Sequence, residues 1–344
     1  MDEIWEVVVE AAWKLGLNVQ NQEATGLVEG RPIRIKLLPY TDKTRLIVHG
    51  SLDPPLDLGL TMRRNELTLN IPGTVTTGRD DLDSEFTVKG DDPSRVRELF
   101  TEDLAGHLFA LHRAALDLKV HDHGCAISGT YGFAPDEAWV IRAAEGAART
   151  IALLDAARAK LRAAAPFAAH AEALATFATA RDLTFTTTPL TIAGLLDGRP
   201  IRLDAERTSR NRHHLTARAR FETTLGLSLH VRNRGLADRL RAVFGVQGLQ
   251  VGDAAFDRRF LVEASPSEAD RIAALFDHEA RLALLALDER VGPLTVDDYD
   301  VSLGPVAPAV TPEALVWAID TLADARARIE RNLLYGAGSV GPYR

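Results

Sequence analysis

The chain has 344 residues, of which 46% are hydrophobic and 26% charged, and a formal net charge of -8. That length exceeds what one hydrophobic core fills, so two domains are expected, and the composition excludes a disordered chain. A single cysteine, Cys125, excludes an intramolecular disulfide and a thiolate metal cluster. The acidic balance argues against a nucleic-acid binder acting through the whole chain, and no apolar run reaches the roughly 20 residues of a bilayer span. With the acidic start Met1-Asp2-Glu3, these features predict a cytoplasmic protein without membrane insertion.

In chain order, Trp5, Val8, Val9, Ala12 and Trp13 recur at three- and four-residue spacings and predict an opening helix. β-rich runs follow at Thr25 to Leu38 and Leu46 to Leu52. The Glu29-Gly30 pair predicts a hairpin tip, because glycine supplies the positive φ of a tight turn. Leu58-Gly59-Leu60 reads as a further strand and Gly78 as a turn. Phe86-Thr87-Val88 reads as a strand with one buried face, placed centrally in the sheet. Asp83, just before it, reads as a turn cap rather than a catalytic carboxylate. Val96, Leu99, Phe100, Leu104, Leu108 and Leu111 form one helical stripe starting near Pro93. Strands at Leu116 to Val120 and Ala126 to Tyr131 precede a closing helix from Asp136 to Ala164, ended by Pro166.

The second half repeats the first. Glu29-Gly30-Arg31-Pro32-Ile33-Arg34 returns as Asp197-Gly198-Arg199-Pro200-Ile201-Arg202. Gly78, Leu82-Asp83, Phe86 and Val88 return as Gly252, Phe256-Asp257, Phe260 and Val262, and the offset grows only from 168 to 174 residues. Leu225-Gly226-Leu227 is matched with Leu58-Gly59-Leu60, the stripe Ile272, Leu275, Phe276, Ala280, Leu284, Leu287 with that from Val96 to Leu111, and Trp317 with Trp139. The reading is a tandem duplication of an α+β unit, an antiparallel β-meander packed by helices, with the copies related by a pseudo-twofold. It places a first repeat at 1–153, a helical linker at 154–169, a second repeat at 170–334 and a flexible tail at 335–344.

His121-Asp122-His123 could present two imidazoles from one strand face to a divalent ion, though the second half offers Asp297-Asp298-Tyr299 there and no further ligand framework accompanies the pair. Cys125 reads as a buried filler rather than a nucleophile. Between Arg199 and Phe260 thirteen arginines face six carboxylates, a local +7 in a chain of -8. The tip of that stretch, Arg207, Arg210, Arg212, His213 and His214, is the candidate ligand-binding site, since guanidinium forks match phosphate oxygens. No aromatic residues interleave it for base stacking. No dinucleotide, Walker, nucleophile-elbow or kinase motif is present, and no cofactor is expected.

The run Gly252-Asp253, Phe256-Asp257, Phe260, Val262 resembles uncharacterised bacterial proteins carrying Gly-Asp-x-x-Phe-Asp-x-x-Phe-x-Val. The first half departs at Arg79 and Leu82. The resemblance implies a duplicated domain of bacterial origin and brings no activity with it. The expectation is therefore a non-enzymatic binding or scaffold protein that recognises a protein partner through the groove between repeats or the arginine-rich hairpin. The alternatives are nucleic-acid or phosphorylated-ligand binding at that hairpin, and a metal-dependent hydrolase at His121 and His123.

Overall fold

The computed structural model describes residues 2–40, 43–65, 73–114, 116–129, 135–207, 213–235, 237–238 and 248–336. The chain divides into two compact units, Met1–Ala164 and Ala165–Arg344. Each is α+β, with one antiparallel sheet of eight described strands and helices.

In the first unit α1 (Asp2–Lys14) leads into β1 (Asn18–Gln20), β2 (Glu23–Val28), β3 (Arg31–Tyr40), β4 (Lys43–Ser51) and β5 (Thr61–Arg64). After α2 (Asp80–Glu85) come β6 (Phe86–Lys89), α3 (Pro93–Leu99), α4 (Glu102–Arg113), β7 (Leu116–His121), β8 (Gly124–Gly129) and α5 (Glu137–Arg158). The strands lie in the order β1-β2-β3-β4-β8-β7-β5-β6. The second unit opens with a 3-10 turn (Ala165–Phe167) and α6 (Ala168–Ala180). It continues with β9 (Thr184–Thr187), β10 (Leu190–Leu196), β11 (Arg199–Arg207), β12 (His213–Arg220), β13 (His230–Asn233), α7 (Ala254–Arg259) and β14 (Phe260–Glu263). Then follow α8 (Ala269–Leu275), α9 (His278–Arg290), β15 (Leu294–Asp297), β16 (Asp300–Val306) and α10 (Pro312–Gly336). Its sheet runs β9-β10-β11-β12-β16-β15-β13-β14, the strand order of the first.

Alternation along the strands sends Ile33, Ile35, Leu46, Val48, Leu118, Val120 and Ile127 to one face, where α5 packs through Ala143, Ala144, Ala147, Ile151 and Leu154. Small residues set that distance. A Cβ on Gly50 would stand 2.7 Å from Ile151 Cγ1, so a glycine in β4 lets the helix lie close to the sheet. Each buried aliphatic side chain contributes about 1.5–3 kcal/mol.

The repeated hexapeptide is explained by its geometry. Glu29 and Gly30 have φ of +50° and +73°, and Asp197 and Gly198 have +53° and +74°, so both turns need two left-handed residues. The following arginine ties each hairpin to the closing helix: Arg31 bonds Asp155 of α5 at 2.8 Å, and Arg199 lies 3.5 Å from Glu330 of α10. Ile33 and Ile201 enter the cores.

The turn carboxylates also do structural work. Asp83 accepts hydrogen bonds from Thr77 N at 2.9 Å, Thr77 Oγ1 at 2.8 Å and Gly78 N at 3.3 Å, and Asp257 accepts one from Val251 N at 2.9 Å.

Several expectations need correction. Phe86 and Val88 lie in β6, at the edge of the sheet and not its centre. They read as central because both are buried, and α2, which runs directly into the strand, packs against it. Leu58-Gly59-Leu60 is loop, not strand. The stripe from Val96 to Leu111 is two helices, because Thr101 caps a new one by accepting from Leu104 N; Asp277 does the same through Ala280 N. The closing helix ends at Arg158, so residues 159–164 are not helical; the boundary between the units, at Ala164 and Ala165, lies within the expected linker 154–169. Tyr335 and Gly336 belong to α10, and the remainder of the expected tail, 337–344, lies outside the described residues.

Candidate functional site

His121 ends β7 and His123 sits in the two-residue turn before β8, so the pair does not project from one strand face as the spacing suggests. Their rings are 6.3 Å apart, and His121 Nδ1 accepts the His123 backbone N–H at 3.2 Å. Asp122, between them, turns inward. Its carboxylate accepts the N–H groups of Leu58, Gly59 and Leu60 at 3.1, 2.8 and 3.0 Å. Among the described residues no three His, Cys, Asp or Glu side chains stand together to hold a metal. Cys125 is fully buried, its thiol pushed up to about 12 by desolvation.

Of the arginine-rich tip, Arg210 and Arg212 lie outside the described residues, and Arg207 ends β11. His213 packs its ring edge-on to Phe167, with centroids 5.8 Å apart, and His214 Nε2 stands 3.3 Å from Glu206. Arg199, Arg202, Arg218, Arg232, Arg234 and Arg259 of the stretch are engaged. Arg202 meets Asp204 at 2.6 Å, Arg218 meets Glu206 at 3.9 Å, and Arg232 meets Asp238 at 2.6 Å and Glu263 at 3.6 Å. Arg199 pairs with Glu222 and Arg259 with Asp288, while Arg234 donates to the carbonyls of Asp257 and Phe260 at 2.9 Å. Counting charge along the chain misses part of this, because Glu263 and Asp288 lie beyond the stretch.

A group of described cations without carboxylate partners lies in the first unit. The sheet face of the first unit turned away from α5 takes the alternate side chains, exposed or half-buried except Ser128 and Thr87. Register aligns Arg34 with His49, His49 with Ala126, and Ala126 with Lys119. Arg63 follows one step on, since Thr61 and Met62 pair with His121 and Val120. Lys36 and His121 flank the row. Among the described side chains this face holds Arg34, Lys36, Arg45, Arg63, Lys89 and Lys119 against two carboxylates. Glu23 is held by Arg34, and Asp117 by Arg45, which also donates to Ser128 Oγ at 2.6 Å. No described carboxylate lies within 4.0 Å of Lys36, Arg63, Lys89 or Lys119.

His49 sits at the centre. Its Nε2 is buried without a hydrogen-bond partner. Burial lowers its pKa, and Lys36, His121 and Arg34 lower it further. Burial likewise lowers His121, as does His123, with Asp122 opposing.

The corresponding face of the second unit mixes signs. Arg202, Arg218, Arg220 and Arg232 are interleaved with Asp204, Glu206, Glu263, Asp297 and Asp300. Burial and neighbouring Asp297 raise the pKa of Asp300.

The cationic face was not among the sites read from sequence. Its only linear signal is the alternation of Arg34 and Lys36 along β3; the contributions of His49, Lys119 and Arg63 depend on tertiary register. A groove of about 370 Å³ between α4 and α5 is lined by His107, Leu111, Arg142, Glu145 and Arg149. There Arg142, Glu145 and Arg149 have the ordinary i,i+3 and i,i+4 spacing of a solvated helix face. No described helix of either unit is long and apolar enough to cross a membrane. Comparison with known proteins finds no matching family model, no matching curated protein and no matching solved structure.

Proposed function

We propose that the protein is a non-enzymatic, cytoplasmic binding or scaffold protein, made by tandem duplication of one α+β unit, that takes a protein partner on the open sheet face of its first unit. The common strand order, the paired hairpin clamps and the matched turn carboxylates support the duplication. They also give a way to separate folding from function. Polar residues kept in both halves cap loops or tie hairpins, apart from Arg34 and Arg63, which match Arg202 and Arg232 by register; there these meet Asp204, Asp238 and Glu263, while Lys36 and Lys119 of the first face match Asp204 and Thr295 in the second unit.

The observation that carries the reading is His49, half-buried among Arg34, Lys36 and His121, with its Nε2 unpaired. Gathering like charge costs stability, and a binding surface is one reason to tolerate it. Affinity capture from a native lysate tests this. A partner recovered with the natural chain is expected to be lost from a Lys36→Glu, Lys119→Glu double variant that still folds; recovery of the same partner by both removes the face as the site.

A further inference from the structure

We infer that the occupant of this face is an acidic polypeptide segment bearing aliphatic side chains, an inference that rests on the binding reading above and names its partner class. The row from Arg34 through His49 and Lys119 to Arg63 crosses four strand-to-strand steps, about 19 Å at the usual strand spacing. A segment of polypeptide laid across it places several carboxylates within reach of these cations. Ala126, in the middle of the row, leaves room for close approach.

The apolar side chains on the same face decide between polyanions. Ile47 lies beside His49 in β4, and Leu27 and Leu38 stand 63% and 37% exposed on β2 and β3. A phosphate backbone has no use for these methyl groups, whereas a Glu- or Asp-rich segment with Leu or Ile buries them.

The test is fluorescence anisotropy with the full chain and two labelled probes: a short peptide of Glu and Leu, and oligothymidylate of similar charge. The peptide is expected to bind and to weaken with added salt. Lys36→Glu with Lys119→Glu should weaken it at least tenfold, and Arg218→Glu on the second unit should leave it unchanged, with circular dichroism showing all variants folded. Oligothymidylate bound in preference, and lost in the same double variant, overturns the polypeptide assignment while leaving the face as a site. Peptide binding that ignores the double variant overturns the face itself. If neither probe binds while lysate capture still depends on Lys36 and Lys119, the acidic-segment inference fails and the binding reading stands.

Discussion

Asp122 and Asp298 hold equivalent loops by equivalent bonds. Asp122 takes the N–H groups of Leu58, Gly59 and Leu60, and Asp298 those of Leu227, Ser228 and Leu229, at 3.2, 2.8 and 3.1 Å. Each residue's own carbonyl also accepts a backbone N–H two residues before its loop, from Leu56 and from Leu225 at 2.9 Å. A carboxylate accepting three amide protons in a half-buried site is worth more than an ordinary hydrogen bond, because each contact involves a charge. Asp122→Ala and Asp298→Ala should therefore each cost about 3 kcal/mol, whereas His123→Ala, exposed in the same turn, should cost almost nothing. Urea denaturation of the three variants checks this; equal stability of Asp122→Ala and His123→Ala would contradict it.

These bonds also explain why the sequence comparison slipped. Matching Leu-Gly-Leu with Leu-Gly-Leu sets Leu58 against Leu225, but the loop geometry sets Leu56 against Leu225 and Leu58 against Leu227. The left-handed positions are Asp57 and Gly59 at +53° and +62° in one unit, and Gly226 and Ser228 at +65° and +51° in the other. Glycine marks a different one of the two positions in each unit, so identity of letters pulls the register off by two. The hairpins were legible because Glu29-Gly30 and Asp197-Gly198 put the same turn chemistry at the same place.

A second pairing is conserved in contact but reversed in charge. In the first unit His112 Nε2 lies 3.2 Å from Glu85, and its ring meets Phe86 edge-on at 5.1 Å. In the second, Asp288 holds Arg259, the residue just before Phe260, and accepts from Asn233 Nδ2 at 2.5 Å. Asp288 is almost fully buried, so removing its cation leaves a charge with reduced compensation. Arg259→Glu alone should destabilise by about 3 kcal/mol. Adding Asp288→His, which copies the first unit's pair, should recover part of that loss, with a coupling of about 1–2 kcal/mol in the double-mutant cycle. Strict additivity of the two changes would show that the positions do not interact.

Cys125 gives a prediction about reactivity. It packs under Ala147, whose carbonyl lies 3.8 Å from Sγ, and its thiol is held at about 12, so the folded protein presents no thiolate at neutral pH. A thiol-specific reagent near neutral pH should modify it only at the rate of unfolding, and urea should release full reactivity. Rapid labelling of the native protein would place the sulfur in contact with solvent and break the packing described between β8 and α5.

The candidate face was hidden from the sequence for a physical reason. Charge counted along the chain points to the run from Arg199 to Arg259, where guanidinium groups are dense. Folding brings Asp288 and Glu330 from far along the chain to two of them and Glu222 to one of these. The reverse holds in the first unit, where Arg34, His49 and Lys119 are separated in sequence and unremarkable singly. They become neighbours because β8 inserts between β4 and β7. Strand order, which no local pattern encodes, turns isolated cations into a patch, and helix packing brings carboxylates to part of the basic run.

That patch predicts how stability depends on pH. Burial first, and then Lys36, His121 and Arg34, hold the pKa of His49 below its ordinary 6.5. Burial and then His123 do the same to His121, with Asp122 opposing. The unfolded chain therefore binds these protons more readily than the folded one, and stability falls as pH drops below the unfolded value. The loss begins near pH 6.5 and is complete once pH lies below the depressed folded value. His49→Gln removes one proton site and its repulsion from Lys36 and Arg34. Thermal melts between about pH 7.5 and 5 should show a shallower decline for the variant than for the natural chain. An equal decline in both would mean that the acid sensitivity arises from groups other than the imidazole at the centre of the cationic row.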